Sequence, residues 1–424
     1  MRILFLSHYF PPEVNAPASR TYEHCRRWVR DGHEVTVITC APNCPTGVVF
    51  DGYRNAWRSE ETIDGIRVIR VWSYVAANKG FAKRILNFLT YMLTATWAAM
   101  WCRNVDVVVA TSPQFFCGWA GVFSKWLLRK PLVLEIRDLW PESILAVGAM
   151  KRNFVIRILE WIERRMYGAA NRIVTVGEGY RRQLEERNVP TDRIDVIPNG
   201  VDLDRVAEQV AAAADDPMER PANRFVCSYI GTVGMAHGLD VVIEAATKLR
   251  DAGRDDVEFW IVGDGAERER LQAEAERLKL STVVFHGMVP KETVPRIIDA
   301  SDACLVHLRK TDLFATVMPS KIFEIMAQNV PIVMGVEGEA QQVVLDGKGG
   351  VAMDPGDADS LLAALDEIRK NPAGVQRGRS YVAEHYNRER LAERMLSALH
   401  DVAGLPVPMK VKQRVPVEET RRAA

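Results

Sequence analysis

In the stretch PSKIFEIMA, Pro319 to Ala327, a lysine and a glutamate stand three residues apart among apolar neighbours. Pro319 suits a first helical position and Ser320 a helix start. Lys321 and Glu324 would then share one helical face near an N-terminus, where partial positive charge and free N–H groups favour an anion. An i,i+3 ion pair on a solvated face would use the same two residues, and this stretch alone leaves both open.

Further candidates lie in loops that follow apolar runs. YIGTVGMAHGLD carries Gly231, Gly234 and Gly238, which let backbone approach a ligand and present N–H groups to it. The spacing is not that of a P-loop. IVGDG places Gly263 and Gly265 in a tight loop, and VVFHGMVPKETV exposes backbone that can read a flat base. Each loop alone is compatible with ordinary turn chemistry. Together, at one end of one sheet and next to PSKIFEIMA, they point to a nucleotide site. The first such loop in the chain, SHYFPPEVNAPASR, has no glycine, so the G-x-G-x-x-G fingerprint of a dinucleotide oxidoreductase is missing. Its double proline and Asn15 shape a rigid turn. Arg20 follows at a helix start, where it either reinforces a phosphate site or is a surface arginine. In EIRDLWPES, Asp138 ends a strand.

These loops need strands to hold them. Short β-branched runs at Ile3–Leu6, Glu34–Thr39, Arg67–Val71, Val105–Ala110, Leu132–Ile136 and Arg172–Val176 read as parallel strands buried on both faces. Helical patterns such as Ser19–Arg30 and Val155–Tyr167 fall between them. A second series starts at Phe225–Ile230 and continues through Glu258–Val262, Val283–His286, Ala303–Val306, Pro331–Met334 and Gly350–Met353. This βαβ alternation predicts an α/β chain of two tandem, Rossmann-like, doubly wound domains with a cleft between them. Ligands in such sheets bind beyond the carboxyl ends of the strands. The boundaries read as an N-terminal domain over 1–198, a polar, Ala-rich linker over 199–224, and a C-terminal domain over 225–375. A single helix over 376–403 follows, able to pack back on the N-terminal domain, and then a disordered tail over 404–424.

Composition narrows the function. The 424 residues are 48% hydrophobic, with 55 basic and 55 acidic side chains, so nothing global points to nucleic acid. Seven scattered cysteines without a CxxC fit a reducing compartment. Eight histidines show no ligand-like spacing, so no metal is expected. The DAD of Asp357–Asp359 follows Pro355-Gly356 and reads as a helix cap. The N-terminal MRILFLSHYF reads as a buried strand rather than a signal segment. Ile85–Trp101 carries no charge and is flanked by Lys83, Arg84 and Arg103. A buried helix, a helix dipping into a membrane surface and a true span are all compatible with it.

The order IPNGVD, GTVGMAHG, IVGDG, FHGMVP and PSKIFEIMA, with RDGHEVTVIT and EIRDLWPES before it, resembles glycosyltransferase family 4, the retaining enzymes of the GT-B fold. The resemblance covers Met1 to about Leu399. PSK, DLWPES and LRKTDLFATVMPSK resemble the bacterial O-antigen and capsule enzymes, including transferases of N-acetylfucosamine from a UDP donor. The resemblance implies roles. Lys321 would hold the donor diphosphate, Glu324 the ribose hydroxyls, and the Met288–Val289 backbone the base. Gly234, His237, Gly263 and Ser320 would complete the donor site. Asp138 would position or deprotonate the acceptor, with Glu142 a weaker candidate. Arg137, Arg20 and Asn15 would hold the acceptor. No cofactor or metal is implied. Two departures matter. Thr232 and His237 stand where many relatives carry a phosphate-gripping arginine and lysine, and Thr316 stands where many carry a second glutamate. More of the phosphate charge then falls on Lys321 and backbone amides, with Arg309 or Lys310 as helpers.

The expectation is a metal-independent transfer of an N-acetylated or deoxy hexose from a UDP-sugar to a lipid-linked or saccharide acceptor. It would serve bacterial surface polysaccharide synthesis at the cytoplasmic face of the membrane, with peripheral membrane contact and no nucleic acid partner. A sugar-nucleotide epimerase of the same architecture and a non-catalytic assembly subunit remain alternatives.

Overall fold

The computed structural model describes residues 1–406, apart from Val14, Pro45, 76–80, 113–114, 141–152, 216–218 and 312–313. Glu142 and all but the first residues of the predicted tail lie outside the described residues.

The N-terminal half runs β1 (Arg2–Leu6), α1 (Ala16–Arg30), β2 (Glu34–Cys40), β3 (Arg58–Ile63), β4 (Ile66–Val71), α2 (Phe81–Ala99), β5 (Val107–Thr111), α3 (Phe115–Leu128), β6 (Leu132–Ile136), α4 (Phe154–Ala169), β7 (Arg172–Thr175), α5 (Glu178–Glu186) and β8 (Ile194–Val196). Its sheet has the order β3-β4-β2-β1-β5-β6-β7-β8 and is parallel except for the β3–β4 hairpin. Two strands escape the sequence reading. β3, RSEETI, lies at a sheet edge with no buried residue, and β8 is three residues long. β1, β5 and β6 are buried almost throughout, as expected of strands covered on both faces.

The C-terminal half runs α6 (Leu203–Asp215), β9 (Phe225–Ile230), α7 (Asp240–Asp251), β10 (Val257–Val262), α8 (Arg268–Arg277), β11 (Val283–Gly287), α9 (Val294–Asp299), β12 (Ala303–His307), α10 (Lys321–Ala327), β13 (Ile332–Gly335), α11 (Glu339–Asp346), β14 (Gly350–Ala352), α12 (Ala358–Lys370), α13 (Gly378–His385) and α14 (Arg388–Ala403). The six strands are all parallel, in the order β11-β10-β9-β12-β13-β14. Strand order reverses between β1 and β5 in one sheet and between β9 and β12 in the other. The crevices at those two points are where a doubly wound sheet takes its ligand.

The segment expected to be a plain linker contains α6. Alanine is the strongest helix former, and Val206 anchors the helix in the same apolar cluster as Ile298 of α9. The single helix expected over 376–403 is two, broken at Tyr386-Asn387. Val382 of α13 belongs to the C-terminal core, whereas Leu391, Met395 and Leu399 of α14 belong to the N-terminal core. The break is where the chain crosses back. There Val201 N donates to Tyr386 O at 2.9 Å and Arg388 N donates to Val201 O at 3.0 Å. Asn387 caps α14 by accepting from Glu389 N at 2.8 Å. The two crossings are thus paired as one hinge.

α2 makes the apolar stretch a partly buried helix: one face sinks Tyr91, Ala95, Ala98 and Ala99 into the N-terminal core, while Leu86 and Leu93 stay exposed. No helix among the described residues is long and apolar enough to cross a membrane.

Candidate active site

Lys321 opens α10 and turns back toward the end of β9. Its ammonium donates to Ile230 O at 3.0 Å and lies 4.4 Å from the centre of the Tyr229 ring. Gly231, at φ 146°, leaves room for it. Burial draws its pKa down to about 8. Among the described residues no carboxylate pairs with it, and the i,i+3 ion pair with Glu324 does not form. The lysine is a half-buried cation beside the glycine loop. α10 has only seven residues, and Ser320 makes no side-chain cap bond, so the positive charge here belongs to the side chain rather than to a long helix dipole.

The glycine loop is built on backbone contact with its neighbour. Gly231 N donates to Val262 O and Val233 N to Asp264 O, both at 2.9 Å. A Cβ at Gly263 would stand 1.9 Å from Gly231 O, and one at Gly265 2.3 Å from Val233 O. Gly263 therefore lies behind the loop and lets it seat; its own contact is with protein backbone. Gly234 leads into a 3₁₀ turn, Met235–His237. The His237 ring lies 6.0 Å from that of Tyr229. Burial, reinforced by Lys321, lowers its pKa, and its buried Nδ1 has no partner among the described residues. A neutral imidazole in that place can donate to or accept from a phosphate. Met288 is 79% exposed after β11, beside the half-buried Val289. Arg309 and Lys310 are engaged elsewhere: Arg309 Nε donates to Met235 O at 2.6 Å, and Lys310 pairs with Glu337 at 2.7 Å. Neither is available as the expected phosphate helper in this arrangement. Asp357 accepts from Asp359 N and Ser360 N and caps α12, as its context predicts.

Glu324 is half-buried and faces the cleft. With Ser320 it lines a cavity of about 310 Å³ whose other wall holds Asn15, Arg20 and, from the hinge, Arg388. A second cavity of about 230 Å³ shares Lys291, Glu324 and Arg388 with the first. Arg388 was not singled out by the sequence. Its Nε holds Gly200 O at 2.8 Å, and burial lowers its pKa against the pull of Glu23 and Glu324. Its only sequence signal is a position beyond the predicted core of the domain, in a helix read as unbroken.

Two expected acceptor contacts have structural work. Arg20 is 7% exposed and its guanidinium is taken up by Glu135 Oε1 (2.7 Å), Pro198 O (2.6 Å) and Ile197 O (2.7 Å). It ties α1 and β6 to the segment entering the hinge, so its role is positional. Burial alone would raise the Glu135 pKa, but Arg20, Arg137 and the Thr111 hydroxyl hold it down to about 2. Asn15 caps α1, accepting from Ala18 N at 2.9 Å.

Arg137 and Asp138 do not line the Glu324 cavity. They sit at the carboxyl end of β6, around Tyr180 of α5. Burial first, then Asp138 and Glu339, push the Tyr180 phenol up to about 12. Burial draws Arg137 down to about 10 despite Glu135, and its Nη1 has no partner among the described residues. Glu339 reaches this cluster from the other domain. Its carboxylate accepts from Glu178 N and Gly179 N, both at 3.2 Å, at the start of α5. The arrangement is one cleft with a cationic, glycine-lined C-terminal wall and an N-terminal wall carrying a separate basic and acidic pair.

Residues 15–200 match the Glycosyl transferase 4-like domain, and residues 224–371 match Glycosyl transferases group 1. The chain is 25% identical over 408 residues, 94% of this chain and 99% of the other, to the protein described as colanic acid biosynthesis glycosyl transferase WcaI of Escherichia coli (strain K12). Among solved structures it superposes on sucrose-phosphate synthase of Thermosynechococcus elongatus with a TM-score of 0.71 at 17% identity, covering 95% of this chain and 99% of that one. On Anabaena Alr3699/HepE in complex with UDP and glucose the TM-score is 0.67 at 16% identity, covering 94% and 98%. The fold is thus that of the two-domain GT-B transferases. The chain is a glycosyltransferase and belongs with family 4.

Proposed function

We propose that this chain is a retaining transferase that moves a hexose, N-acetylated or deoxygenated, from a UDP-sugar to a lipid-linked or saccharide acceptor in bacterial surface polysaccharide assembly. It would work at the cytoplasmic face of the membrane. The observation that carries this is Lys321, a half-buried ammonium that no carboxylate among the described residues pairs with, set against the glycine loop at the switch point of the C-terminal sheet. The UDP complex of HepE and the colanic acid description of WcaI are in keeping with a UDP donor and a polysaccharide pathway. The N-acetylfucosamine option rests on the sequence resemblance.

The donor diphosphate would lie over Gly231 and Gly234, its charge met by Lys321 and loop amides, with His237 as a neutral hydrogen-bonding partner. Glu324 would take the ribose hydroxyls and Met288–Val289 the base. The acceptor hydroxyl oxygen forms its bond to the anomeric carbon on the face from which UDP departs. The carbon–phosphate oxygen bond breaks, and the hydroxyl proton leaves with the UDP oxygen. Developing charge on that oxygen is what a preorganised cation stabilises best. Asp138 would orient the acceptor hydroxyl and Arg137 an acceptor phosphate. Because Lys321 carries the neutralisation, a chelator should leave turnover unchanged.

A donor screen tests this. Purified protein is offered single UDP-, GDP- and dTDP-sugars with bacterial lipid extract, and products are read by mass spectrometry. A lipid that gains one sugar from one UDP donor, and fails to in Lys321→Ala and Glu324→Ala, supports the reading. Turnover with a GDP- or dTDP-sugar alone would overturn the donor assignment.

A further inference from the structure

The outer face of the N-terminal domain is apolar where a solvated surface would be polar. α4 turns Phe154, Ile158 and Trp161 outward, with Phe154 74% and Trp161 53% exposed. Arg157, Arg164 and Arg165 stand exposed among them. The positions 154, 157, 158, 161, 164 and 165 repeat at helical spacing, so they form one stripe. The opposite face is in the core through Ile156, Met166 and Tyr167. Of the two carboxylates of α4, Glu163 points inward and bonds Tyr167 Oη at 2.5 Å, and Glu160 is half-buried. The Arg165 guanidinium lies 5.0 Å from the centre of the Trp161 ring, over the apolar stripe.

The neighbouring helices continue this surface. α3 packs between α2 and α4 on the same side of the sheet. It exposes Trp126 (55%) and Leu127; α2 exposes Leu93, and the turn after it Met100 and Trp101 (57%). Neither α2 nor α3 contains an aspartate or glutamate. Their exposed charges, with those of the flanking turns, are Lys83, Arg84, Arg103 and Arg129. Apolar side chains exposed on three adjacent helices whose own exposed charges are all basic are unusual on a monomer surface. A second copy docking face to face would bring arginine against arginine. An anionic lipid surface meets both features: its headgroups pair with the basic residues, and its acyl boundary takes tryptophan, phenylalanine and leucine.

We propose that the α2–α3–α4 face docks the chain on an anionic bilayer, with α4 lying in the interface plane and Phe154, Ile158 and Trp161 entering the headgroup–acyl boundary. This deepens the lipid-linked acceptor reading, but it stands on surface residues that the donor site does not share.

Co-sedimentation of the full chain with phosphatidylglycerol-containing and pure phosphatidylcholine vesicles, at low and high salt, tests it. Wild type is expected to bind the anionic vesicles and to weaken with salt. Trp161→Ser with Phe154→Ser should lower partitioning at least about tenfold, and each Arg→Gln at 157, 164 or 165 about fivefold. Thermal melting checks that the variants fold, and UDP affinity is read separately, so loss of lipid binding and failure of the donor reading are distinguishable. Equal binding to both vesicle types, no binding, variants that bind like wild type, or variants that convert a dimer to a monomer would each overturn the proposal.

Discussion

At the scale of single residues the account turns on Lys321. An ammonium whose partial desolvation draws its pKa to about 8 is half neutral in mildly alkaline solution, and a diphosphate placed beside it would pull that value up. Donor binding therefore takes up a proton above pH 8, and affinity should fall as pH rises past that point. The KM for the donor, followed from pH 7 to 9.5, should climb above about 8 in wild type. Lys321→Arg, which keeps its charge, should flatten the profile. Lys321→Ala should cost about two to three orders of magnitude in kcat/KM, the scale of losing one preorganised stabiliser of the leaving group. The lysine and Glu324 were legible in the sequence because a charged pair inside an apolar helical stretch is conspicuous. Arg388 was not, because its importance comes from where the hinge folds it and not from its neighbours.

At the scale of elements, the Arg20–Glu135 pair shows how α1 and the N-terminal sheet are held to the hinge. Removing one partner of a buried ion pair leaves the other uncompensated, so Glu135→Ala should destabilise by about 3–5 kcal/mol in urea titrations. Glu135 is held below its ordinary 4.5, at about 2. The stability it contributes is therefore complete above about pH 4.5 and lost as pH falls toward 2. The glycine loops make a second case. Gly263→Ala places a methyl group 1.9 Å from Gly231 O at a positive φ, and is expected to cost about 2 kcal/mol or more and to weaken UDP binding with it. Calorimetry on the same variant reads both. The strands and the glycine loops could be read from sequence because buried parallel strands are continuous β-branched runs and tight loops need glycine. β3 could not, because an exposed edge strand such as RSEETI has no apolar alternation. α6 was hidden because its alanines and charges resemble a linker until a partner helix supplies the buried face.

At the scale of the whole molecule, contacts between the two domains among the described residues include the paired hinge and the Glu339 carboxylate. Glu339 of the C-terminal domain sits on the first amides of α5 in the N-terminal domain. A carboxylate at a helix N-terminus contributes about 0.3–1 kcal/mol. Glu339→Gln should then raise hydrogen exchange at the Glu178 and Gly179 amides about two- to fivefold and shift scattering curves toward a more open cleft. Unchanged exchange would show that the contact does not hold the domains. This contact was invisible in sequence, since its partners are 160 residues apart and neither carries a motif. The two-domain plan was legible because the alternation repeats after Gly200, while the crossing at Tyr386-Asn387 was not, because α13 and α14 read as one helical pattern. The central claim is that the cleft takes a nucleotide diphosphate on Lys321. Titration calorimetry of UDP into wild type and Lys321→Ala at pH 7 and pH 9 tests it most directly. The account predicts tight binding by wild type at pH 7, weaker binding at pH 9, and weak, pH-independent binding by the variant. Equal affinity of the two proteins at pH 7 would contradict it.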